Sequence, residues 1–253
     1  MIFYVKIQEM GEFMRNLGVN TVEKRKSKFL EKIGCYIWAI FSSISAICIS
    51  ALMIINSIWI YGVIVDKYEL TKVTRLSKDA LMSDYKGLIN YLQNPFVDKL
   101  TFDNFAMSEY GEIHFIEVKK IFLALIIITA IFVIALVTWV ILRKFKKKNI
   151  EGLLKSFNSS ANILIGFFAG IVALYFIDFS WAFTMFHKIF FRNDYWIFDP
   201  TIDPVINALP EELFMICGAA ILFVLLIMII VVKFMYYRRK NNKTYSKNNS
   251  IEM

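Results

Sequence analysis

The sequence contains little cysteine, and its cysteines are badly placed for covalent or metal chemistry. Cys35, Cys48 and Cys217 all lie inside apolar stretches, and no C-x-x-C pair occurs. A disulfide in an exported loop and a thiolate metal site both need cysteines outside such stretches or at close spacing. We therefore expect neither.

The motifs of familiar hydrolases and kinases are also absent. The chain has no G-x-S-x-G, no H-E-x-x-H, no phosphate loop and no dinucleotide fingerprint. Histidine is scarce, since only His114 and His187 occur. A zinc site built from both histidines and a carboxylate would need a third ligand at a suitable spacing, and none stands out. We predict no metal.

Charge is missing from four long stretches of a chain that is 58% hydrophobic. This composition is too apolar for a soluble domain of 253 residues and is typical of a polytopic membrane protein. About 20 apolar residues cross a bilayer, and backbone in lipid must be helical. We therefore predict a mainly α fold, a bundle of four transmembrane helices with a small extracytoplasmic cap. The predicted spans are 33–65, 121–142, 156–178 and 213–237.

Lysine and arginine flank these spans unevenly. Basic clusters at 24–32, 143–148 and 233–243 predict that both termini and the middle loop are cytoplasmic. The same clusters account for the net charge of +8, so we expect no nucleic-acid partner. The predicted cytoplasmic parts are 1–32, 143–155 and 238–253, and the extracytoplasmic parts are the cap 66–120 and the connector 179–212.

The N-terminal segment does not look like a targeting signal. It is too long and too polar at its end for a signal peptide, and no apolar lipobox precedes Cys35. We therefore expect that the chain is not itself a lipoprotein. At the other terminus, the polar residues after Lys240 predict a disordered tail.

The first outer connection shows helical periodicity. Ser77 is a suitable N-cap, Pro95 would end the helix, and Ser108 would begin a second helix that runs through His114 into the second span. Between them, 96–107 is predicted to be irregular or a short hairpin. The apolar positions at helical spacing are Leu81, Tyr85, Leu88 and Leu92.

The two histidines are predicted to lie at the same membrane boundary. His114 comes just before the second span, and His187 comes just after the third, so both face outward in the predicted topology. Each one alone fits an ordinary interfacial residue with an apolar body and a wet tip. Together they also fit a general acid/base pair, because neutral imidazole exchanges protons near physiological pH.

Several neighbouring residues are candidates for supporting roles. Glu117 would share a helix face with His114 and orient or protonate its ring, although such spacing arises easily by chance. Asp178 ends the third span, where a carboxylate is either functional or simply reaches water. Asp199 is interpreted mainly as a turn residue before a proline. Aromatic residues crowd the connector, either as a membrane-interface belt or as a dry lipid chamber that includes Trp196.

A long and specific residue pattern runs through the two outer connections. It consists of Phe186-His187-x-Ile189-Phe190-Phe191-x-Asn193-Asp194-x-Trp196-x-x-Asp199-Pro200, Asp203 with Leu209-Pro210-Glu211, Met107-Ser108-Glu109, His114-Phe115-x-Glu117-Val118-Lys119, and Tyr91-Leu92 with Asn94-Pro95-Phe96. In this pattern the chain resembles the lipoprotein intramolecular transacylases, a family of bacterial four-span membrane proteins. The resemblance covers both outer connections and all four spans.

This resemblance implies an enzyme of the bacterial cell membrane whose active site faces outward. The family moves the sn-2 acyl chain of a diacylglyceryl-modified lipoprotein to the α-amino group of its N-terminal cysteine, giving a lyso-form lipoprotein. By motif, its two histidines correspond to His114 and His187. The transfer from ester to amide is downhill, so no cofactor is expected. The partners implied are exported lipoproteins and membrane lipid, and the oligomeric state stays open.

Polar residues of the outer segments are candidates for stabilising an oxyanion. Asn193, Tyr85 and Tyr91 are the residues that we single out for this role.

Two other functional classes remain open from the residues alone. One is a bis-histidine redox protein, because helix bundles can hold haem between facing side chains. The other is a non-catalytic accessory protein whose cap docks a partner.

Overall fold

Long helices dominate the structure, a computed structural model that describes the backbone of residues 2–145 and 151–249 and the side chains of 25–145, 152–172 and 178–242. No strand occurs in these ranges. The helices are α1 (Ile2–Ile55), α2 (Trp59–Lys67), α3 (Leu70–Thr74), α4 (Lys78–Gln93), α5 (Glu109–Phe145), α6 (Glu151–Ile177), α7 (Phe179–Phe190) and α8 (Glu211–Asn249), with a 3₁₀ turn at Pro204–Ala208.

Four long helices, α1, α5, α6 and α8, pack together as a bundle. α1 packs against α5, α6 and α8, and α6 also packs against α8. Large apolar side chains such as Ile134, Phe223 and Phe234 are exposed on the outside of this bundle. Such surfaces suit hydrocarbon rather than water. In the described residues, three helical segments are long and apolar enough to cross a membrane: Arg25–Ile55, Glu109–Phe145 and Glu211–Asn242.

The boundaries of two predicted segments differ from the structure. The uncharged run 33–65 is divided, because α1 ends at Ile55 and α2 begins at Trp59. At 1.5 Å per residue, 33–55 already extends about 35 Å, so the remaining apolar residues are free to join the cap. The prediction of a disordered tail after Lys240 is wrong as far as Asn249, because α8 continues to that residue. Extending a formed helix is easy compared with nucleating one.

Polar side chains join the long helices at one end of the bundle. The hydroxyls of Ser43 and Ser160 are 2.9 Å apart and link α1 to α6. Lys233 of α8 donates to the side-chain oxygens of Asn158 and Asn162 on α6. Hydrogen bonds of this kind hold helices together in lipid, where apolar contact alone gives little preference.

The cap is built from α2, α3, α4 and the 3₁₀ turn around a separate apolar core. Ser77 caps α4 by accepting a hydrogen bond from the Ala80 amide, as the sequence predicted. Tyr61 stacks on Tyr85 with ring centroids 4.0 Å apart, and its hydroxyl donates to the carbonyl oxygen of Ala208. The segment 96–107 is irregular, which agrees with one of the two forms expected. The predicted apolar positions of α4, Leu81, Tyr85, Leu88 and Leu92, are all buried in this core.

A buried carboxylate fastens the start of α5 to the 3₁₀ turn. Asp203 accepts hydrogen bonds from the Ser108 amide at 2.7 Å and from the Ser108 hydroxyl at 2.6 Å. The same hydroxyl accepts from the amide of Gly111, as an N-cap does. A Cβ on Gly111 would lie 2.5 Å from Asp203 Oδ1. The sequence therefore uses glycine here so that the carboxylate can approach the helix, one turn before His114.

Replacing Gly111 with alanine should destabilise the protein, because the new methyl group collides with the carboxylate of Asp203. We expect Gly111→Ala to lower the apparent Tm in detergent by an amount equivalent to about 1 to 3 kcal/mol. Gly87→Ala is the matched control, since it lies in the interior of α4 with nothing within 4 Å of the added Cβ. Helix propensity predicts that Gly87→Ala is neutral or stabilising. Equal effects of the two substitutions would contradict the packing described.

Candidate active site

The structure brings the two histidines together. His114 lies in the second turn of α5 and His187 lies near the end of α7, yet their ring centroids are 6.1 Å apart. Both side chains are buried, with 7% and 8% of their surface exposed. Helix α5 is 37 residues long, about 55 Å, and its first twelve residues carry five charged side chains. His114 therefore lies outside the uncharged spanning run 121–142.

The tautomer of His187 is determined by its backbone neighbour. Nδ1 of His187 is 2.7 Å from the carbonyl oxygen of Phe183, one turn earlier in α7. A carbonyl oxygen only accepts hydrogen bonds, so Nδ1 must carry the proton. In the neutral ring, Nε2 then holds the free lone pair. This is the arrangement of an imidazole ready to accept a proton at Nε2.

His114 has a drier and less hydrogen-bonded environment. Its Nδ1 is buried and has no hydrogen-bond partner among the described residues. Phe191 and Phe198 meet its ring edge-on, with centroid separations of 4.7 and 5.4 Å. An unsatisfied polar atom in such a place is a site where a ligand group can gain a hydrogen bond.

Aromatic rings enclose both imidazoles. Phe191 contacts both, because its centroid is 5.6 Å from His187 as well as 4.7 Å from His114. Trp196 stacks on His187 at 4.6 Å, and its indole Nε1 is buried without a partner among the described residues. Phe183 covers His187 from within α7 at 4.2 Å. Water is therefore scarce around two groups capable of proton transfer.

Burial keeps both rings neutral. Desolvation lowers the pKa of His114 from its usual 6.5 to about 4, and the neighbouring His187 adds to this effect. Desolvation also lowers the pKa of His187, although the hydrogen bond to Phe183 opposes the change. Each imidazole is thus uncharged near neutral pH, and protonating one would disfavour protonating the other.

Glu117 binds the loop after α7 rather than the imidazole of His114. Its carboxylate accepts two hydrogen bonds from the Asn193 side chain, at 3.0 and 3.2 Å. Asn193 in turn accepts from the amide of Tyr195, whose ring stacks on Tyr110 at 4.7 Å. The expected pairing of Glu117 with His114 is therefore replaced by a link between α5 and the loop after α7. Because that loop also carries Trp196, the link helps to position one wall of the site.

Asp178 and Asp199 are found in local structural roles. Asp178 caps α7 by accepting a hydrogen bond from the Trp181 amide at 2.9 Å, and its side chain is exposed. Asp199 accepts from the amide and the hydroxyl of Thr201 in an exposed turn. These two bonds lower the pKa of Asp199. The structure brings neither carboxylate into hydrogen-bonding contact with the described atoms of the histidines.

Tyr85 and Tyr91 belong to the cap. Tyr85 is buried against Tyr61, and burial raises the pKa of its phenol. Tyr91 is buried beneath the ammonium group of Lys119, which is 4.4 Å from the ring centroid and donates to the carbonyl oxygen of Val97. Their described ring and hydrogen-bond contacts are with the cap and the flank of α5, not with the two imidazoles.

Haem between the two imidazoles does not fit this arrangement. A bis-histidine haem requires its flat macrocycle to lie between the rings. Phe191 contacts both rings, and Trp196 and Phe198 cover further faces. For metals, the described residues contain no group of three or more His, Cys, Asp or Glu side chains that could hold an ion.

The sequence did not identify every residue that shapes the site. Phe191 and Phe198 are the main examples, because a run of aromatic residues does not show which rings face inward. The carbonyl oxygen of Phe183 was also missed, although the four-residue spacing to His187 within one helix is a usable signal. Asp203 was noted only as part of the residue pattern, whereas in the structure its carboxylate accepts the hydrogen bonds of Ser108 that fix the start of α5.

Comparisons with known proteins find a matching family and solved structures of similar fold. The family model described as "Lipoprotein intramolecular transacylase Lit" matches residues 36–214. The solved structure of the membrane integral lipoprotein intramolecular transacylase Lit from Bacillus cereus has 27% sequence identity and a TM-score of 0.77, covering 86% of this chain and 99% of its own. No protein in a search of curated sequences matches the chain.

Two further solved structures are variants of the same Bacillus cereus protein. One carries a histidine-to-arginine substitution, with 27% identity, a TM-score of 0.71, and coverage of 87% of this chain and 96% of its own. In the other, a histidine is replaced by alanine, with 26% identity, a TM-score of 0.71, and coverage of 87% and 97%.

Acid should destabilise the fold through the buried histidines. Because folding lowers the pKa of His114 from 6.5 to about 4, the unfolded chain binds the proton more tightly. Above about pH 6.5, protonation of His114 does not affect the free energy of unfolding. This free energy falls as the pH decreases from 6.5 towards 4. We expect the apparent Tm in detergent to drop by several degrees in this window.

The measurement is a thermal unfolding series from pH 7.5 to 4.5 on the wild-type protein and on His114→Asn. The variant lacks the titrating group, so its Tm should depend less steeply on pH. If the two proteins lose stability in parallel, His114 is not held neutral by the fold.

Proposed function

Because this chain belongs to the lipoprotein intramolecular transacylase family Lit, and because its two histidines share one buried aromatic site, we propose that it makes lyso-form lipoproteins. Its substrate is an exported lipoprotein whose N-terminal cysteine carries a diacylglyceryl thioether. The enzyme moves the sn-2 acyl chain to the α-amino group of that cysteine. The proximity of His114 and His187 is the observation that carries this proposal.

The proposed topology has four spans with both termini in the cytoplasm. α6, which ends at Ile177, supplies the third span, predicted over 156–178, beside the three helical segments long enough to cross a membrane. The basic clusters then lie inside the cell, and the cap 66–120 and the connector 179–212 lie outside. This orientation presents the histidines at the outer face of the bacterial cell membrane, where exported lipoproteins reside.

The reaction is an intramolecular ester-to-amide transfer. A C–N bond forms between the acyl carbon and the amine, the C–O bond to the glyceryl oxygen breaks, and one amine proton ends on that oxygen. The atoms N, Cα, Cβ, S, two glyceryl carbons, the ester O and the acyl C must close into a ring. A confined site supplies this closure by orientation, which lowers the entropic part of the barrier.

His187 is the base of this mechanism. Nδ1 is already committed to the carbonyl oxygen of Phe183, so Nε2 takes the amine proton as nitrogen attacks. The carbonyl of Phe183 then stabilises the imidazolium, which passes its proton to the departing glyceryl oxygen. A free α-amino group has a pKa of roughly 7.7 to 8.0, so a base is needed to complete its deprotonation.

His114 acts as the polar partner of the reacting ester. Its neutral ring donates a hydrogen bond to the oxygen that gains negative charge, because the charged ring is disfavoured by burial. Two solved structures of the Bacillus cereus relative carry a substitution of a histidine, which supports a reaction that depends on histidine. Trp196, Asn193 and Glu117 support the reaction by positioning the wall of the site. Tyr85 and Tyr91 contribute only to the folding of the cap. Asp178 and Asp199 have only local structural roles, as the cap of α7 and in an exposed turn.

Removing either imidazole should abolish acyl transfer. We expect His114→Ala and His187→Ala each to lower the rate at least 10²-fold, the usual size of a general acid/base contribution. The measurement is mass spectrometry of the N-terminal peptide of a reporter lipoprotein, which distinguishes the diacylglyceryl form from the N-acylated lyso form. Asp178→Asn is the control, because this side chain is an exposed helix cap. Wild-type turnover in either alanine variant would refute the mechanism. If the reporter gives the same product with and without this chain, an accessory role is favoured.

Opening the aromatic wall should divert the acyl group to water. Phe191 is 5% exposed and contacts both histidines, so Phe191→Ala admits water to the ester. We expect a higher ratio of free fatty acid to N-acylated product, measured on the same reporter. Phe190→Ala is the matched control, since the neighbouring ring is 53% exposed. An unchanged ratio in Phe191→Ala would show that this ring does not exclude water during transfer.

A further inference from the structure

A lysine ends the apolar part of α8 at the side of the bundle remote from the histidines. The uncharged run 213–232 extends about 30 Å along the helix, which is the thickness of a bilayer core. Lys233 follows directly and therefore lies at the boundary between hydrocarbon and headgroups. Its ammonium donates to Asn158 Oδ1 at 3.1 Å and to Asn162 Oδ1 at 2.5 Å.

The charge of Lys233 is held in place but not neutralised. Both partners are neutral amides, and among the described residues no carboxylate forms an ion pair with it. An ammonium group has three protons to donate, and the two amide oxygens account for two of them. Among the described residues, one donor and the positive charge therefore remain for an anionic group at the headgroup level.

An apolar cavity lies next to this lysine within the bundle. It has a volume of about 180 Å³ and lies between α1, α5, α6 and α8. Two of its lining residues carry hydroxyls, and both hydroxyls are already hydrogen-bonded: Ser42 to the carbonyl oxygen of Trp38, and Ser160 to Ser43. A dry cavity of about 150 Å³ is large enough for a benzene-sized apolar group. The cavity therefore suits hydrocarbon rather than water.

Residues that line the cavity are sequence neighbours of the lysine and of one of its asparagine partners. Val232 and Phe157 line the cavity, and each is followed directly by a member of the polar cluster, Lys233 or Asn158. From that end, the lining continues deeper into the bundle through Ile229 and Leu164. A cation at the headgroup level above an apolar space has the shape and polarity of a phospholipid site.

We propose that this end of the bundle binds one anionic glycerophospholipid of the leaflet remote from the histidines. The phosphate lies on the ammonium of Lys233, and one acyl chain enters the cavity beside Ala161. The proposed ligand is a lipid of that leaflet, because a soluble anion would contact Lys233 but would gain nothing from the apolar cavity. This site is separate from the acyl-transfer site and does not depend on the proposed reaction.

The test uses the full-length protein in detergent, titrated with phosphatidylglycerol or phosphatidylcholine and observed by native mass spectrometry. The wild type should bind the first phosphatidylglycerol about five-fold more tightly than phosphatidylcholine, the factor expected of one basic residue near a membrane surface. Lys233→Gln should lose this preference, whereas Lys233→Arg should keep it. Lys155→Gln is the matched control, because Lys155 is an exposed lysine at the same end of α6.

A second variant tests the cavity independently of the charge. Ala161 is 2% exposed and lines the cavity, so Ala161→Phe should fill the space and weaken binding of both lipids. It also decides the outcome if Lys233→Gln fails to fold. The proposal is overturned if Lys233→Gln keeps the wild-type preference, if Lys155→Gln loses as much, or if Ala161→Phe binds lipid like the wild type. In those cases the lysine and asparagines serve only to hold α6 against α8.

Discussion

The hydrogen bond between Nδ1 of His187 and the carbonyl oxygen of Phe183 determines what the site can do. It needs no charged residue, because a helix offers the carbonyl four residues earlier to any side chain of suitable length. With the proton on Nδ1, the nitrogen with the free lone pair is Nε2 in the neutral ring. A carboxylate in the same position would hold the imidazolium more strongly and would introduce a second buried charge. The backbone carbonyl orients the ring while leaving the site neutral.

The remaining architecture brings the second histidine to this ring. The Ser108–Asp203 bonds fix the beginning of α5, and the Glu117–Asn193 bonds tie α5 to the loop after α7. His114 lies between these two attachments. Both are interactions between segments that are distant in the chain, so the two imidazoles are held close by tertiary contacts rather than by one helix. The 3₁₀ turn of the cap therefore helps to position His114.

Much of this organisation could be predicted from the sequence, because hydrocarbon imposes simple rules. Charge-free runs indicated the long helices, and Ser77 with its apolar repeat indicated α4. The placement of both histidines at one boundary followed from counting spans. The partner of Glu117 could not be predicted. Its spacing to His114 is compatible with a contact between those two side chains, but Glu117 instead accepts hydrogen bonds from Asn193, which is distant in the chain. The break after Ile55 was also hidden, because the cap core and the bilayer select the same apolar residues.

The continuity of α5 has a mechanical consequence. From His114 to Phe145 the helix contains neither proline nor glycine, so the part that crosses the lipid and the part that carries the imidazole move as one stiff rod. A thinner or thicker bilayer changes the tilt of such a rod. His187 is carried by the short, separate α7, which is coupled to that rod through the Glu117–Asn193 bonds of the following loop. Hydrophobic mismatch would thus load these bonds, and the thickness of the membrane becomes a physical variable of the geometry of the histidine pair.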